Sequence, residues 1–161
     1  MHFNTLSHYR FAMDFKEESN DLCPVASGLA HVGDAWSMLI LRDASQGLSR
    51  FDQFRTNLNI APNILTRRLA ALVEHGLLER RRYCERPPRD EYVLTEAGRE
   101  FLPILVLLGD WARRRPAGDR LNRFVDAETG QEIRPILMDA NTGADLVGRP
   151  LNLVAPDSVK G

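Results

Sequence analysis

The sequence predicts a mainly α-helical fold with a small β component, and three features lead to that prediction. Apolar residues recur at intervals of three and four over residues 22–75 and again over 95–115, as on the buried faces of helices. Residues 77–95 switch to an extended pattern around a Pro-Pro pair, which is typical of two strands and a turn. With 161 residues, of which 43% are hydrophobic, the chain can bury a core without disulfides.

Two helices are expected between residues 22 and 44, with a break near Gly33. Val25, Leu29 and Val32 share one face of the first helix. Residues 36–41 are apolar nearly all round, as in a helix at the centre of a domain. Residues 1–21 show no clean period and are predicted to be an N-terminal arm.

A helix-turn-helix pair is predicted next. An apolar stripe defines a short helix that Ser49 is expected to cap: Phe51, Phe54 and Leu58. Its partner spans about 61–75, since Pro62 suits a first helical turn and Gly76 suits the left-handed position after a helix end. The predicted buried face of this second helix is Leu65, Leu69, Leu72 and Val73. The opposite face carries Asn63, Thr66, Arg67 and Ala70.

Strands at 77–83 and 91–95, joined by a charged loop, predict a hairpin over about 78–95. Residues 50–89 hold nine arginines and four acidic residues, a net charge of +5 in a chain whose net charge is -1. A basic segment in a near-neutral chain is typical of a nucleic-acid contact. A solvated face crossed by salt bridges is the alternative.

A long helix is predicted from Thr95, which can cap it, to about Arg115, with a kink at Pro103. It carries two apolar stripes, of which the domain core can cover one: Phe101, Leu105 and Leu108. The other would form an exposed patch and is the predicted interface of a two-fold dimer: Leu102, Ile104, Leu107 and Trp111. Cover by the tail is the alternative.

The tail, residues 116–161, contains two near repeats, at 125–130 and 138–143. Each predicts a strand, an Asx-type turn closed by glycine, and a second strand. The chain is therefore expected to divide into an arm at 1–21, a main domain at 22–115 and a small β-rich extension at 116–161.

The order of these elements is that of a winged helix-turn-helix. Over about 23–115 the sequence resembles the HxlR-type family of bacterial winged-helix regulators, within the MarR-like group. The resemblance rests on CP at 23–24, GDAWSMLILR at 33–42, GLSRFD at 47–52, ILTRRL at 64–69, HGLL at 75–78, RPPR at 86–89 and EYVLTEAG at 91–98. It implies an obligate homodimer that binds an inverted-repeat operator in double-stranded DNA.

Some positions give the resemblance further content. Ala61 stands where the family commonly has a capping Ser or Thr, so the second helix of the pair starts uncapped or is capped by Asn59. Cys23 matches a position where some relatives carry a redox-sensing thiol, and a small buried apolar residue is the alternative. Longer relatives place paired cysteines, like zinc knuckles, where this chain has Asp126, Thr129, Asp139 and Thr142. The extension is therefore expected to be metal-free and the protein to need no cofactor, with calcium as the alternative.

Sequence-specific DNA binding that regulates transcription is the expected function, with helix 61–75 in the major groove and the hairpin on the backbone or in the minor groove. The candidate DNA-binding residues are Asn63, Thr66, Arg67, Arg68, Arg81, Arg86 and Arg89, of which Arg68 could instead be an internal brace. A winged-helix module that binds protein is the alternative function.

Other classes of protein are not favoured. There is no nucleophile–base pair, phosphate loop or metal-ligand set, so no catalytic residues are assigned and no enzyme is expected. The sequence shows no signal peptide or membrane-spanning run, so a cytoplasmic protein without a membrane partner is expected. It points to no particular small-molecule effector.

Overall fold

Helices dominate residues 22–155, the part of the chain that the structure, a computed structural model, describes. The predicted arm at 1–21 lies outside the described residues. The main elements are α1 (Pro24–Val32), α2 (Ala35–Ser45), α3 (Phe51–Leu58), α4 (Pro62–Glu74), β1 (Leu78–Glu85), β2 (Pro88–Leu94), α5 (Glu96–Glu100) and α6 (Leu102–Arg113). This order confirms the predicted class, mainly α-helical with a two-stranded antiparallel sheet.

The break between α1 and α2 falls where the sequence predicts it. Gly33 has φ +91° and its N–H donates to the carbonyl oxygen of Leu29 at 2.7 Å, which ends α1. Asp34 then caps α2, since its carboxylate accepts a hydrogen bond from the backbone N–H of Ser37 at 3.2 Å. The two helices therefore meet at a fixed corner.

The core lies between α2, α3, α4 and the base of the hairpin. Its fully buried apolar side chains, each less than 2% exposed, are Ile40, Leu41, Phe54, Leu65, Leu69, Leu72 and Leu78. Three of the four residues predicted for the buried face of α4 belong to this set, and Val73 packs at its edge. Because these residues recur every three to four positions, their burial fixes which side of α4 faces outward.

The start of α3 differs from the prediction that Ser49 caps it. Arg50 is the residue that precedes the helix, and the side chain of Gln53 accepts hydrogen bonds from the backbone N–H groups of Ser49 and Arg50. The Ser49 hydroxyl instead donates to Glu91 at 3.2 Å. Ser49 thus ties the helix-turn-helix to the hairpin.

The hairpin is tighter than the predicted loop at 84–90. Strands β1 and β2 pair from Leu78↔Leu94 to Glu85↔Pro88, so that only residues 86 and 87 form the tip, with a bulge between Arg82 and Cys84. On its other edge, β2 pairs with the short segment that precedes α3, where the Tyr92 N–H donates to the Ser49 carbonyl oxygen at 2.7 Å. The hairpin is therefore anchored beside α3.

The predicted long C-terminal helix is interrupted. Thr95 caps α5 as expected, with its hydroxyl accepting from the Gly98 N–H at 3.0 Å. The helix breaks at Phe101, two residues before Pro103, because proline has no N–H to donate to the preceding turn. The break agrees with the predicted kink, but it divides the expected single helix into α5 and α6, and α6 ends at Arg113, close to the predicted end at about Arg115.

The extension contains the two predicted turns, but each is flanked by one isolated antiparallel bridge, Val125↔Glu132 or Met138↔Asp145, where the repeats predicted pairs of strands. The Asp126 carboxylate accepts hydrogen bonds from the N–H groups of residues 128 and 129 and from the Thr129 hydroxyl. Asp139 accepts equivalent bonds from Asn141 and Thr142. Each turn closes on a glycine with positive φ, 68° at Gly130 and 65° at Gly143. These side-chain hydrogen bonds hold the turns where longer relatives are expected to use a metal.

Gly98 is a point where the fold has no room for a side chain. A Cβ there would lie 2.1 Å from the carbonyl oxygen of Leu77. We expect Gly98→Ala to lower the free energy of unfolding by about 1–3 kcal/mol, because backbone must shift to relieve the contact. Urea denaturation measures this loss. Gly28→Ala is the control, since nothing lies within 4 Å of a Cβ at that helical position, and it should raise stability by about 0.5–1 kcal/mol.

The turns of the extension should depend on pH and not on metal. Hydrogen bonds from Thr129 and Thr142 lower the pKa values of Asp126 and Asp139 below the ordinary 3.8. A lowered folded-state pKa contributes stability that is present above the unfolded value and lost as pH falls through the folded value. The NMR protection factors of the Gly130 and Gly143 amides should therefore decrease when the pH is lowered below about 3.8.

The matched variants for this measurement are Asp126→Ala, which should expose the Gly130 amide at neutral pH, and Glu128→Gln in the same turn, which should not. A chelator should leave both amides protected. Loss of protection on chelation would contradict the hydrogen-bonded account of the turns.

Candidate nucleic-acid interface

The outward face of α4 is polar and open. Asn63, Thr66, Arg67 and Ala70 are all exposed, opposite the buried leucines of the same helix. The Thr66 hydroxyl donates to the carbonyl oxygen of Pro62 at 2.9 Å, so it can still accept a hydrogen bond from outside. Within residues 22–155 the side chain of Arg67 makes no ion pair and no hydrogen bond. The helix thus presents unused hydrogen-bonding groups to solvent.

The start of α4 carries no side-chain cap. Ala61 occupies the capping position and Pro62 the first turn. Asn59, the alternative cap considered from the sequence, ends α3 instead, in a left-handed conformation with φ 48°. The lack of a side-chain cap at Ala61 is therefore as predicted, whereas the alternative prediction that Asn59 caps α4 is wrong.

Arg68 differs from its neighbour Arg67. Its Nη2 lies 2.5 Å from Oδ2 of Asp34, at the corner between α1 and α2, and its side chain is 17% exposed. The geometry therefore matches an internal brace better than a phosphate clamp, the two roles that the sequence left open.

The hairpin separates its arginines onto two faces. Asp90 pairs with both Arg80 and Arg82, and these hydrogen bonds, with that from Arg80 the stronger, lower the pKa of Asp90. The register places Arg81 and Arg89 on the opposite face, since Arg81 pairs with Glu91, two residues along β2 from Arg89. Arg81 therefore shares a face of the hairpin with Arg89, next to the tip.

The arginines of this second face are differently engaged. Arg81 donates to Glu79 at 2.9 Å, which lowers the pKa of that carboxyl. Arg86 lies at the tip, and the side chains of Arg86 and Arg89 form no ion pair with any residue of 22–155. These two cations are the ones that the hairpin leaves open to an external anion.

Arg50 is a basic residue at this surface that was counted in the sequence charge but not selected as a site residue. Its guanidinium carbon lies 4.7 Å from the centre of the Tyr83 ring, and its backbone forms an isolated antiparallel β-bridge with Glu91. A cation–π contact of this kind fixes the guanidinium between α3 and the hairpin. The bulge that positions Tyr83 has no signal in the local sequence, which explains the omission.

The comparisons with known proteins agree with the helix-turn-helix fold that carries this surface. The model of the HxlR-like helix-turn-helix family matches residues 31–118, which is more than half of the chain. The protein belongs to the HxlR-like helix-turn-helix family.

Relatives of this HxlR-like chain are named as regulators. It is 38% identical over 128 residues to the HTH-type transcriptional regulator Rv3095 of Mycobacterium tuberculosis, covering 78% of this chain and 80% of the relative. The transcription factor PA1607 has a solved structure that is similar, with a TM-score of 0.71, 37% identity and coverage of 82% of this chain and 94% of that one. The reduced form of the redox regulator HypR is similar at a TM-score of 0.52 and 33% identity, over 55% of this chain and 89% of that one.

Family membership makes the protein a helix-turn-helix transcriptional regulator and not an enzyme. No helix within residues 22–155 has the length and apolar character needed to cross a bilayer. The same residues contain no cluster of three or more His, Cys, Asp or Glu side chains that could hold a metal ion.

The predicted dimer stripe of this HxlR-like chain is partly open. Ile104 and Trp111 are 53% and 52% exposed, whereas Leu102 and Leu107 are half-buried. Within residues 116–155 the tail reaches α6 at Gly109, where Phe124 packs. Two residues of the apolar face predicted for α1, Val25 and Leu29, are also exposed, as is Leu22 just before that helix.

Cys23 precedes α1 and is half-buried, with no hydrogen bond from its thiol to the helix. It forms no disulfide with Cys84. Redox sensing by Cys23 stays a prediction.

Proposed function

We propose that this protein is a homodimer that binds double-stranded DNA in a sequence-specific manner, with α4 in the major groove and the β1–β2 hairpin, the wing, against the backbone or the minor groove. One observation carries the proposal: the polar face of α4 points away from the core and lies on the same domain as a wing whose Arg86 and Arg89 form no ion pair within residues 22–155.

The length and polarity of α4 suit the major groove. Its 13 residues span about 20 Å, and its N-terminal half carries Asn63, Thr66 and Arg67. An arginine can donate two hydrogen bonds to guanine, and the side-chain amide of an asparagine can accept one hydrogen bond from adenine through its oxygen and donate another through its nitrogen. Base readout is therefore assigned to this half of the helix.

The wing supplies contacts of another kind. Arg86 and Arg89 lie at or next to its tip, where guanidinium groups can reach phosphates or a minor groove. Arg81 shares the face of Arg89 but already holds Glu79, so its phosphate contact requires that exposed pair to open. Such contacts orient the protein on the duplex without reading its sequence.

Dimerisation is proposed from the apolar surface that one copy leaves open. Helices α1 and α6 each expose several large apolar side chains. Single exposed apolar residues are normal on a protein surface, whereas groups of them usually mark an interface. A two-fold dimer would present two copies of α4 to successive major grooves, about 34–36 Å apart, on an inverted-repeat operator.

The DNA-binding prediction is tested on a duplex selected from a random pool. We expect log K to fall steeply with log salt, because phosphate contacts release counterions. Arg89→Gln should reduce that slope by about one unit, whereas Arg67→Gln should lower discrimination at one base pair by about 1–3 kcal/mol. Arg134→Gln, an exposed arginine of the extension, is the control and should change neither quantity. Weak binding without salt dependence would instead favour a protein-binding module.

The dimer prediction is tested by Ile104→Glu combined with Trp111→Glu, measured by analytical ultracentrifugation. Both side chains are about half exposed in one copy, so the folded monomer tolerates the charges, but an apolar interface does not. We expect monomers with unchanged circular dichroism. Thr56→Glu, at an exposed position of α3, should remain dimeric. A wild-type protein that sediments as a monomer would contradict the prediction.

A further inference from the structure

We propose that Asp34 and Arg68 are positioning residues that set the orientation of α4, and that Arg68 is not a DNA ligand. The corner between α1 and α2, residues 31–34, holds α4 from behind in this arrangement. The inference rests on the proposed DNA-binding function and deepens it, because it names what fixes the reading helix and which of its arginines is unavailable to DNA.

Two polar contacts join the corner to α4. The first is the ion pair between Asp34 and Arg68, with 2.5 Å between Oδ2 and Nη2. In the second, Nδ1–H of His75 donates to the carbonyl oxygen of His31 at 2.7 Å. Arg68 and His75 are seven residues apart, which is about two helical turns. The corner therefore contacts α4 at its middle and at the residue that follows its end, so it restrains tilt as well as rotation.

The environment of Arg68 commits its guanidinium to this contact. The side chain is 17% exposed, and its Nε is buried without a hydrogen-bond partner among the residues that the structure describes. A largely enclosed cation relies on its partner far more than an exposed one does, because removing the partner leaves the charge uncompensated. By contrast, the neighbouring Arg67 is exposed and is assigned to DNA.

Asp34 has a second role that makes the corner rigid. One carboxylate oxygen accepts from the Ser37 N–H at 3.2 Å and caps α2, while the other meets Arg68. A single side chain thus joins the start of α2 to the middle of α4. Helix α1, which ends at the same corner, carries exposed apolar residues of the proposed dimer surface. The corner therefore links the dimer surface to the helix that reads DNA.

The test depends on whether one substitution, Asp34→Asn, raises or lowers the affinity for DNA. Asp34→Asn keeps a side-chain oxygen for the cap, since Asn caps helices as well as Asp, but removes the negative charge that holds Arg68. If Arg68 were a phosphate ligand, this change would free it and make the protein more positive, so affinity for DNA would rise. If the pair positions α4, affinity should fall several-fold although a negative charge has been lost.

The second variant, Arg68→Met, separates positioning from phosphate contact. We expect affinity for the selected duplex to fall several-fold with the slope of log K against log salt unchanged, because no phosphate contact is lost. The double variant, Asp34→Asn with Arg68→Met, should bind DNA no more weakly than either single variant, because each substitution removes the same interaction between residues 34 and 68. Should Asp34→Asn fail to fold, the slope measured for Arg68→Met decides the question alone.

Two results would overturn the inference: a rise or no change in affinity for Asp34→Asn, or a slope that falls by about one unit in Arg68→Met. Either leaves the proposed function intact, because the wild type still binds DNA. A wild-type protein without salt-dependent binding would instead remove the proposed function itself.

Discussion

The burial of three leucines on one side of α4 is the constraint on which the rest of the structure depends. Leu65, Leu69 and Leu72 are essentially inaccessible to solvent, and they pack in one cluster with Phe54 and Ile40. Burying each leucine contributes about 1.5–3 kcal/mol, so a rotation that exposed all three would cost about 4.5–9 kcal/mol, which is comparable with the whole stability of a typical domain, about 5–15 kcal/mol. The rotation of α4 is therefore fixed, and with it the outward direction of its polar residues.

The wing takes its place from the same framework through polar contacts. Ser49 accepts a backbone hydrogen bond from Tyr92 and donates its hydroxyl to Glu91, so the segment before α3 continues the sheet. The Arg50–Tyr83 contact adds a link across the face of the hairpin. As a result, α3, α4 and the wing form one surface whose parts are set relative to each other before any ligand binds. Preorganisation of this kind limits the entropy lost when a partner is bound.

The sequence predicted those features that depend on residues close together in the chain. Periodicity located α4 and its buried face, and Gly33, Pro62 and Thr95 marked helix ends that the structure confirms. These are local signals, since a glycine, a proline or a capping hydroxyl acts within one turn of the backbone. The two turns of the extension were predictable for the same reason.

The features that the sequence did not reveal depend on contacts between distant residues. Asp34 and Arg68 are 34 positions apart, and nothing in the local sequence distinguishes Arg68 from Arg67 until the contact between the α1–α2 corner and α4 is known. Ser49 was expected to cap α3, but Glu91, 42 residues away, takes its hydroxyl. The hairpin tip has two residues and is shorter than the predicted loop, because strand pairing continues into a segment whose prolines and charges favour a loop. Each case is a tertiary contact that overrides a local preference.

The central claim, that the outward face of α4 together with the wing tip is the DNA-binding surface, is tested most directly by NMR titration of the protein with its selected duplex. The account predicts the largest shifts at the Asn63 side-chain amide, the Arg67 Nε–H and the backbone of residues 86–89. Shifts that spare these groups and cluster on the extension or on α6 would contradict it.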